Sequence, residues 1–172
     1  MKSAPTVWLT GLPCSGKSTI SVLLADLLRK KGKSVEILDG DTQRAHFADE
    51  IGFSKKDRDF QVQITAYLAK LLSRNGIVVI VALVSPYRQA REDARKEIPN
   101  FIEVYLDCSV NTCAERDVKG MYKKAIAGEI LQFTGISDPY EPPLHPEITF
   151  NTEKQTPEEC ADSLLETVLD RS

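Results

Sequence analysis

The stretch Gly11-Leu12-Pro13-Cys14-Ser15-Gly16-Lys17-Ser18 decides the fold. It spells G-x-x-x-x-G-K-[ST], the pattern of a loop whose backbone N–H groups surround a phosphate. Glycine at positions 11 and 16 lets the chain curl so that several N–H groups point at one anion. Lys17 brings a mobile positive charge to the outer phosphates, and the Ser18 hydroxyl can hold a magnesium ion. The flanks agree. Thr6-Val7-Trp8-Leu9-Thr10 reads as a short buried strand, and residues 19–31 read as a helix. A strand feeding the loop and a helix leaving it put the phosphate at a helix N-terminus, where partial positive charge collects. A chance match in a glycine-containing turn would not carry both flanks.

The bulk numbers suit a single domain over residues 1–172 with an ordinary core: 42% hydrophobic and 27% charged. A net charge of -3 offers no basic surface to nucleic acid or to an anionic membrane. The longest apolar run, residues 77–84, is strand-sized and too short to span a bilayer. Met1-Lys2-Ser3-Ala4-Pro5 carries no apolar signal region, so a cytoplasmic protein is expected. Cys14, Cys108, Cys113 and Cys160 fit no zinc spacing and read as reduced thiols. Cys14 alone sits in an anion-binding loop, where a thiolate is favoured, which leaves redox control open at that position.

Outward from the loop, residues 34–38 read as a second strand that ends in Asp39-Gly40-Asp41. Residues 42–49 read as a short helix. Residues 55–75 read as a long one, with Phe60, Ile64, Tyr67, Leu68, Leu71 and Leu72 at helical spacing. The unbroken β-branched run 77–84 reads as a central strand buried on both faces. A helix over 88–97, a strand over 101–106, a short helix over 110–116, a strand over 147–150 and a helix over 156–170 complete the pattern. Residues 117–146, rich in Lys, Gly and Pro, are long enough for a lid or binding loop. The alternation predicts a doubly wound α/β domain: a parallel five-stranded sheet with helices on both faces and a lid segment.

Phosphate loops serve switches, motors, pumps and small-molecule kinases. A switch GTPase needs an N-K-x-D base-reading motif, which this chain lacks. A motor ATPase carries an acid at the end of its long apolar strand, but here that strand ends Leu83-Val84-Ser85. The carboxylates stand instead at Asp39 and Asp41. That layout suits a kinase in which one Asp orients or deprotonates an acceptor hydroxyl and the other helps hold magnesium. Asp-Gly-Asp also makes a plain turn. Its place just past a strand's C-terminal end, where open α/β sheets bind ligands, favours the site reading.

The chain also resembles a named family. The segments are Gly11 to Thr19, Asp39-Gly40-Asp41 with Arg44, Gly52-Phe53-Ser54, Asp57-Arg58, Ser85-Pro86-Tyr87-Arg88, the run from Glu115 to Tyr122, Gly128-Glu129-Ile130, and Phe133-Thr134-Gly135-Ile136 with Pro139-Tyr140-Glu141 and Pro143. In that order they are similar to adenylylsulfate kinase, a family with the P-loop kinase fold. The resemblance implies transfer of the ATP γ-phosphoryl group to the ribose 3′-hydroxyl of adenylylsulfate, with Mg2+ as cofactor, in sulfate assimilation. It implies catalytic roles for Lys17, Asp39 and Asp41, and magnesium at Ser18 and Asp39. ATP would be bound by Gly11, Leu12, Pro13, Cys14, Ser15, Gly16, Lys17, Ser18, Thr19 and Arg116. The acceptor would meet Asp41, Arg44, Phe53, Arg58, Gln61, Ser85, Pro86, Tyr87, Lys119 and Phe133. Phe53 and Phe133 would sandwich its adenine, a contact worth about 1–3 kcal/mol per base. Arg44 and Arg58 would hold the phosphosulfate through paired hydrogen bonds. The lid would run from Lys119 to Phe133, and two copies of the chain would pair.

The likeness departs from the family pattern in the segments assigned to the acceptor. Gln63, Ile64, Ile126 and Leu131 stand where the pattern has cations, and Gln61 stands where it has Asn. Three functions therefore remain open on the sequence: adenylylsulfate kinase, a 3′-hydroxyl kinase for a less anionic nucleotide, and a nucleotide-binding regulatory domain without turnover.

Overall fold

The computed structural model describes residues 3–47 and 52–172. Five strands form one parallel sheet: β1 (Thr6–Thr10), β2 (Val35–Asp39), β3 (Val78–Ala82), β4 (Phe101–Asp107) and β5 (Ile148–Asn151). Their spatial order is β2-β3-β1-β4-β5. β1 lies at the centre, so the loop that follows it opens at the middle of the sheet's C-terminal edge.

Successive side chains of a strand face opposite ways, and the core divides accordingly. Val7, Leu9, Ile80, Ile102 and Val104 pack against Ile20, Leu24 and Leu28 of α1 (Lys17–Lys30) and Leu164 and Val168 of α7 (Pro157–Arg171). Trp8, Val79 and Val81 pack the other way, against Val62, Ala66 and Ala69 of α3 (Lys55–Ser73) and Ala94 of α4 (Arg88–Glu97). Helices therefore cover both faces. Side chains cap the helices where the sequence supplies them: Ser54 with Asp57 forms a capping box on α3, and Thr156 with Glu159 forms one on α7.

Several element bounds shift by a residue or two, and three shifts bear on the site. α1 begins at Lys17 rather than at residue 19, because Gly16 takes the N-cap place at φ 103°, so the lysine sits in the first turn. β3 ends at Ala82, and the chain turns at Ser85, whose φ of 39° is left-handed. The helix expected over 42–49 is α2 (Gly40–His46); residues 48 and 49 of that reading lie outside the described residues.

Residues 117–146 are more than a loop. After α5 (Val110–Arg116) they contain α6 (Met121–Ile126), whose N–H groups at Tyr122 and Lys123 donate to the Asp117 carboxylate at 3.0 Å each. Tyr122, Ala125 and Phe133 join Leu12, Cys108 and Cys113 in a third, smaller core beside the phosphate loop.

Candidate active site

The phosphate loop is shaped by contacts that exclude side chains. A Cβ on Gly11 would stand 2.7 Å from the Leu106 carbonyl oxygen. Lys17 folds back under the loop, where its Nζ donates to the carbonyls of Gly11 at 2.9 Å and Leu12 at 2.7 Å. The Ser18 hydroxyl, one residue on, donates to Asp39 Oδ2 at 3.1 Å. Asp39 also caps α2, its Oδ1 accepting from the N–H groups of Asp41 at 2.9 Å and Thr42 at 3.2 Å. The end of β2 is thereby tied to the start of α1, and Asp41 is turned outward. Between the two acids, a Cβ on Gly40 would meet Leu83 Cδ2 at 2.8 Å.

Burial draws the Lys17 ammonium down to about 8 from an ordinary value of 10.5. A lysine value lowered on folding means that the fold prefers the neutral amine. Its stabilising contribution is full above about pH 10.5 and is lost as pH falls through about 8. Bound phosphates act in the opposite sense by favouring the ammonium. Nucleotide binding at about pH 9 should therefore take up most of one proton, and binding at about pH 6.5 almost none. Calorimetry in buffers of different ionisation enthalpy reads this directly; equal proton counts at the two pH values would contradict it.

A cavity of about 1050 Å³ lies over this edge of the sheet, at the upper end of the size range for small-molecule sites. Residues 13–19, Asp39, Asp41 and Arg116 line one part of it. Arg44, Phe53, Arg58, Gln61, Ser85, Pro86, Lys119 and Phe133 line the other. The two sets that the sequence singled out thus face one space. Gly11 and Leu12 stand behind it, acting through their carbonyls on Lys17. Tyr87 is not among the lining residues: it is the N-cap residue of α4, and its ring lies under Lys55 Nζ at 4.6 Å.

The rest of the lining is rich in cationic and aromatic side chains. The Arg44 guanidinium stacks 4.4 Å from the centre of the half-exposed Phe53 ring and donates to Gln61 Oε1 and the Gly52 carbonyl, each at 2.6 Å. Gln61 in turn donates to the Gly40 carbonyl at 3.2 Å, linking this part of the lining to the Asp pair. Arg58 donates to the carbonyls of Phe53 at 2.9 Å and Gln132 at 2.5 Å. Phe133 presents one side to the cavity and packs edge-on against Tyr122 on the other, so it is core residue and cavity wall at once. Lys119 reaches across from the lid segment to pair with Asp41. Arg116 spans to the Thr152 carbonyl at 2.5 Å and the Cys14 carbonyl at 3.4 Å.

The family model described as Adenylylsulphate kinase matches residues 3–151. The chain belongs to the adenylylsulphate kinase family. An adenylyl-sulfate kinase of Rippkaea orientalis is 52% identical over 159 residues, which is 92% of this chain and 88% of that protein. Among solved structures, the Mycobacterium tuberculosis APS kinase CysC in complex with AMPPNP and APS is 37% identical, with a TM-score of 0.93 over 99% of each chain. Shikimate kinase from Acinetobacter baumannii in complex with shikimate is 17% identical, with a TM-score of 0.60 over 99% of this chain and 96% of that one, and shares the fold.

The four missing cations of the adenylylsulphate kinase pattern lie off the cavity, whereas the fifth departure, Gln61, lines it. Gln63, Ile64, Ile126 and Leu131 are all outside its lining, and Ile126 and Leu131 are 65% and 78% exposed. The cations that do face the cavity include Lys17, Arg44, Arg58, Arg116 and Lys119.

Sequence reasoning missed the polar groups that hold Ser85 in its left-handed turn. Trp8 Nε1 donates to Ser85 Oγ at 3.1 Å, and the buried Arg91 donates to the Ser85 and Glu141 carbonyls at 2.6 Å each. Arg91 lies in a charged helix with nothing local to mark it as buried. Trp8 carried one signal, since an indole N–H in a buried strand needs an acceptor.

Proposed function

We propose that this chain transfers the γ-phosphoryl group of ATP to the ribose 3′-hydroxyl of adenylylsulfate. The observation that carries the reading is a single cavity with a phosphate loop on one wall, a pair of arginines around a half-exposed phenylalanine on the other, and Asp41 between them. Lys17 follows the migrating phosphoryl group. Asp41 takes or orients the acceptor hydroxyl proton. Phe53 and Phe133 hold the adenine, and Arg44 and Arg58 meet the phosphosulfate.

Ser18 and Asp39 are the residues that would hold Mg2+. Their oxygens lie 3.1 Å apart at the cavity, and Mg2+ takes one or two protein oxygens and completes its shell with phosphate and water. Among the described residues there is no cluster of three or more acidic, His or Cys side chains, the kind of cage that Mg2+ does not require. The chemistry Mg2+ would supply there is neutralisation of negative charge on the phosphates.

The four positions without a family cation lie outside the cavity lining, and the fifth departure, Gln61, which does line it, still offers a side-chain amide; this favours adenylylsulfate over a less anionic acceptor. The free thiols of all four cysteines accord with a reducing, cytoplasmic setting. Among the described residues no helix is long and apolar enough to cross a membrane. Pairing of two copies belongs to the same reading, and the exposed Phe60 and Tyr67 on α3 give it apolar surface to cover.

The test is incubation with ATP, magnesium and a panel of nucleotides, with analysis for 3′-phosphorylated products. Adenylylsulfate should yield 3′-phosphoadenylylsulfate and ADP in equal amounts. A protein that ignores adenylylsulfate and phosphorylates another nucleotide overturns the acceptor assignment and leaves a kinase standing. Arg44→Ala or Arg58→Ala should raise the acceptor KM at least about tenfold, since a charged hydrogen bond is worth roughly 1.5–3 kcal/mol. The KM for ATP should move less than about twofold, a difference of roughly 0.4 kcal/mol.

A further inference from the structure

Tyr122 touches both halves of the site without lining it. Its side chain is fully buried. Its hydroxyl donates to the Pro13 carbonyl of the phosphate loop at 2.9 Å, across 109 residues of sequence. Its ring meets Phe133 edge-on, with centroids 4.8 Å apart and planes at 75°. Pro13 lines the phosphate side of the cavity and Phe133 the acceptor side, whereas Tyr122 does not reach it. A second contact runs parallel to the first: a Cβ on Gly135, two residues after Phe133, would stand 2.9 Å from Leu12 Cδ2. The loop that carries Phe133 therefore rests on the phosphate loop.

We infer that Tyr122 is a positioning residue that couples the two substrate sites, so that nucleotide on the phosphate loop changes the affinity of the face that holds the acceptor's base. The inference rests on the kinase reading above. Its physical basis is the close packing of the link. A buried hydroxyl–carbonyl bond has one good geometry, and an edge-on aromatic pair has few, so a shift of the Pro13 backbone reaches Phe133 rather than being absorbed. Burial also raises the phenol far above its ordinary range, so it remains a neutral donor across the working pH range. Asp117 holds the backbone N–H of the same residue at 3.0 Å, which anchors the first turn of the helix that carries the ring. Coupling of this kind is reciprocal: whatever factor nucleotide applies to acceptor binding, acceptor applies to nucleotide binding.

The experiment is calorimetric titration of adenylylsulfate into the full chain, with and without saturating AMPPNP and magnesium. The ratio of the two Kd values is the coupling. In the wild-type chain it should differ from one by about threefold or more, within the usual range for coupled sites. Tyr122→Phe keeps the ring and removes the bond to Pro13. It should bring the ratio to within about 1.5-fold of one, while the Kd for adenylylsulfate alone moves less than about twofold. A purely structural role would lower the melting temperature and leave the ratio unchanged. Phe133→Leu cuts the link at its other end and should flatten the ratio too, so it decides the matter if Tyr122→Phe does not fold. A wild-type ratio of one, or a ratio that survives in the folded variants, overturns the coupling and leaves the kinase reading intact. Failure of the wild-type chain to bind adenylylsulfate at all defeats the acceptor assignment, and the coupling falls with it.

Discussion

Lys17→Ala folds and loses a factor of about 10²–10³ in kcat, the usual cost of removing one preorganised group that stabilises transition-state charge. The fold should tolerate the change because two effects oppose each other. The substitution leaves the Gly11 and Leu12 carbonyls without their donor, at about 1–3 kcal/mol each. It also removes a buried ammonium whose value has fallen from 10.5 to about 8, equivalent to roughly 3 kcal/mol against the charged form. The difference is small, and the melting temperature should stay within about 5 °C of wild type. Steady-state kinetics together with a thermal melt checks both halves. Retention of more than about a tenth of the wild-type rate, a loss below roughly 1.4 kcal/mol, would remove Lys17 from the chemistry.

Asp41→Asn should lower kcat by about 10²–10⁴, the range for a positioned proton acceptor, while nucleotide affinity stays within about twofold. Asp39→Asn should do the reverse and weaken magnesium–nucleotide binding first. The two acids differ in how they are committed. Asp39 accepts from Ser18 and from two backbone N–H groups, so its carboxylate faces the phosphate loop; Asn is an equally good N-cap, so α2 survives the change. Asp41 is 73% exposed at its side chain and meets Lys119 across the cavity. An exposed pair of this kind is worth about 0–1 kcal/mol, too little to hold Asp41 from an acceptor hydroxyl. Direct binding of nucleotide, measured beside turnover, separates the variants. If Asp41→Asn weakens nucleotide binding and spares turnover, the two roles exchange.

Much of the architecture was legible because it is written in local patterns. α4 and α5 run over the residues expected from their spacing, Arg88–Glu97 and Val110–Arg116. β1 likewise runs over Thr6–Thr10 as expected, and among the boundaries that moved, those at Gly16 and Ser85 follow a left-handed backbone conformation. α6 was hidden because it has six residues and takes its N-terminal acceptor from Asp117, four residues before it begins.

What the sequence determined by itself is the phosphate loop, the alternation of strand and helix, and the pair of acids at the C-terminal end of β2 and just beyond it. Each depends on residues within a few positions of one another, where backbone geometry leaves little choice: Gly11 has no room for a Cβ, and Gly16 takes a left-handed turn. What the tertiary structure alone decided is which side chains share a wall. Helical spacing shows that residues lie on one face of a helix but not what that face meets. Tyr87 therefore went to Lys55 instead of the cavity, Phe133 became both wall and core, and the four positions without cations fell outside the lining. The bond from Tyr122 to Pro13 joins residues 109 apart, and no local pattern records a contact that exists only once β1, β4 and the segment after α5 have packed together.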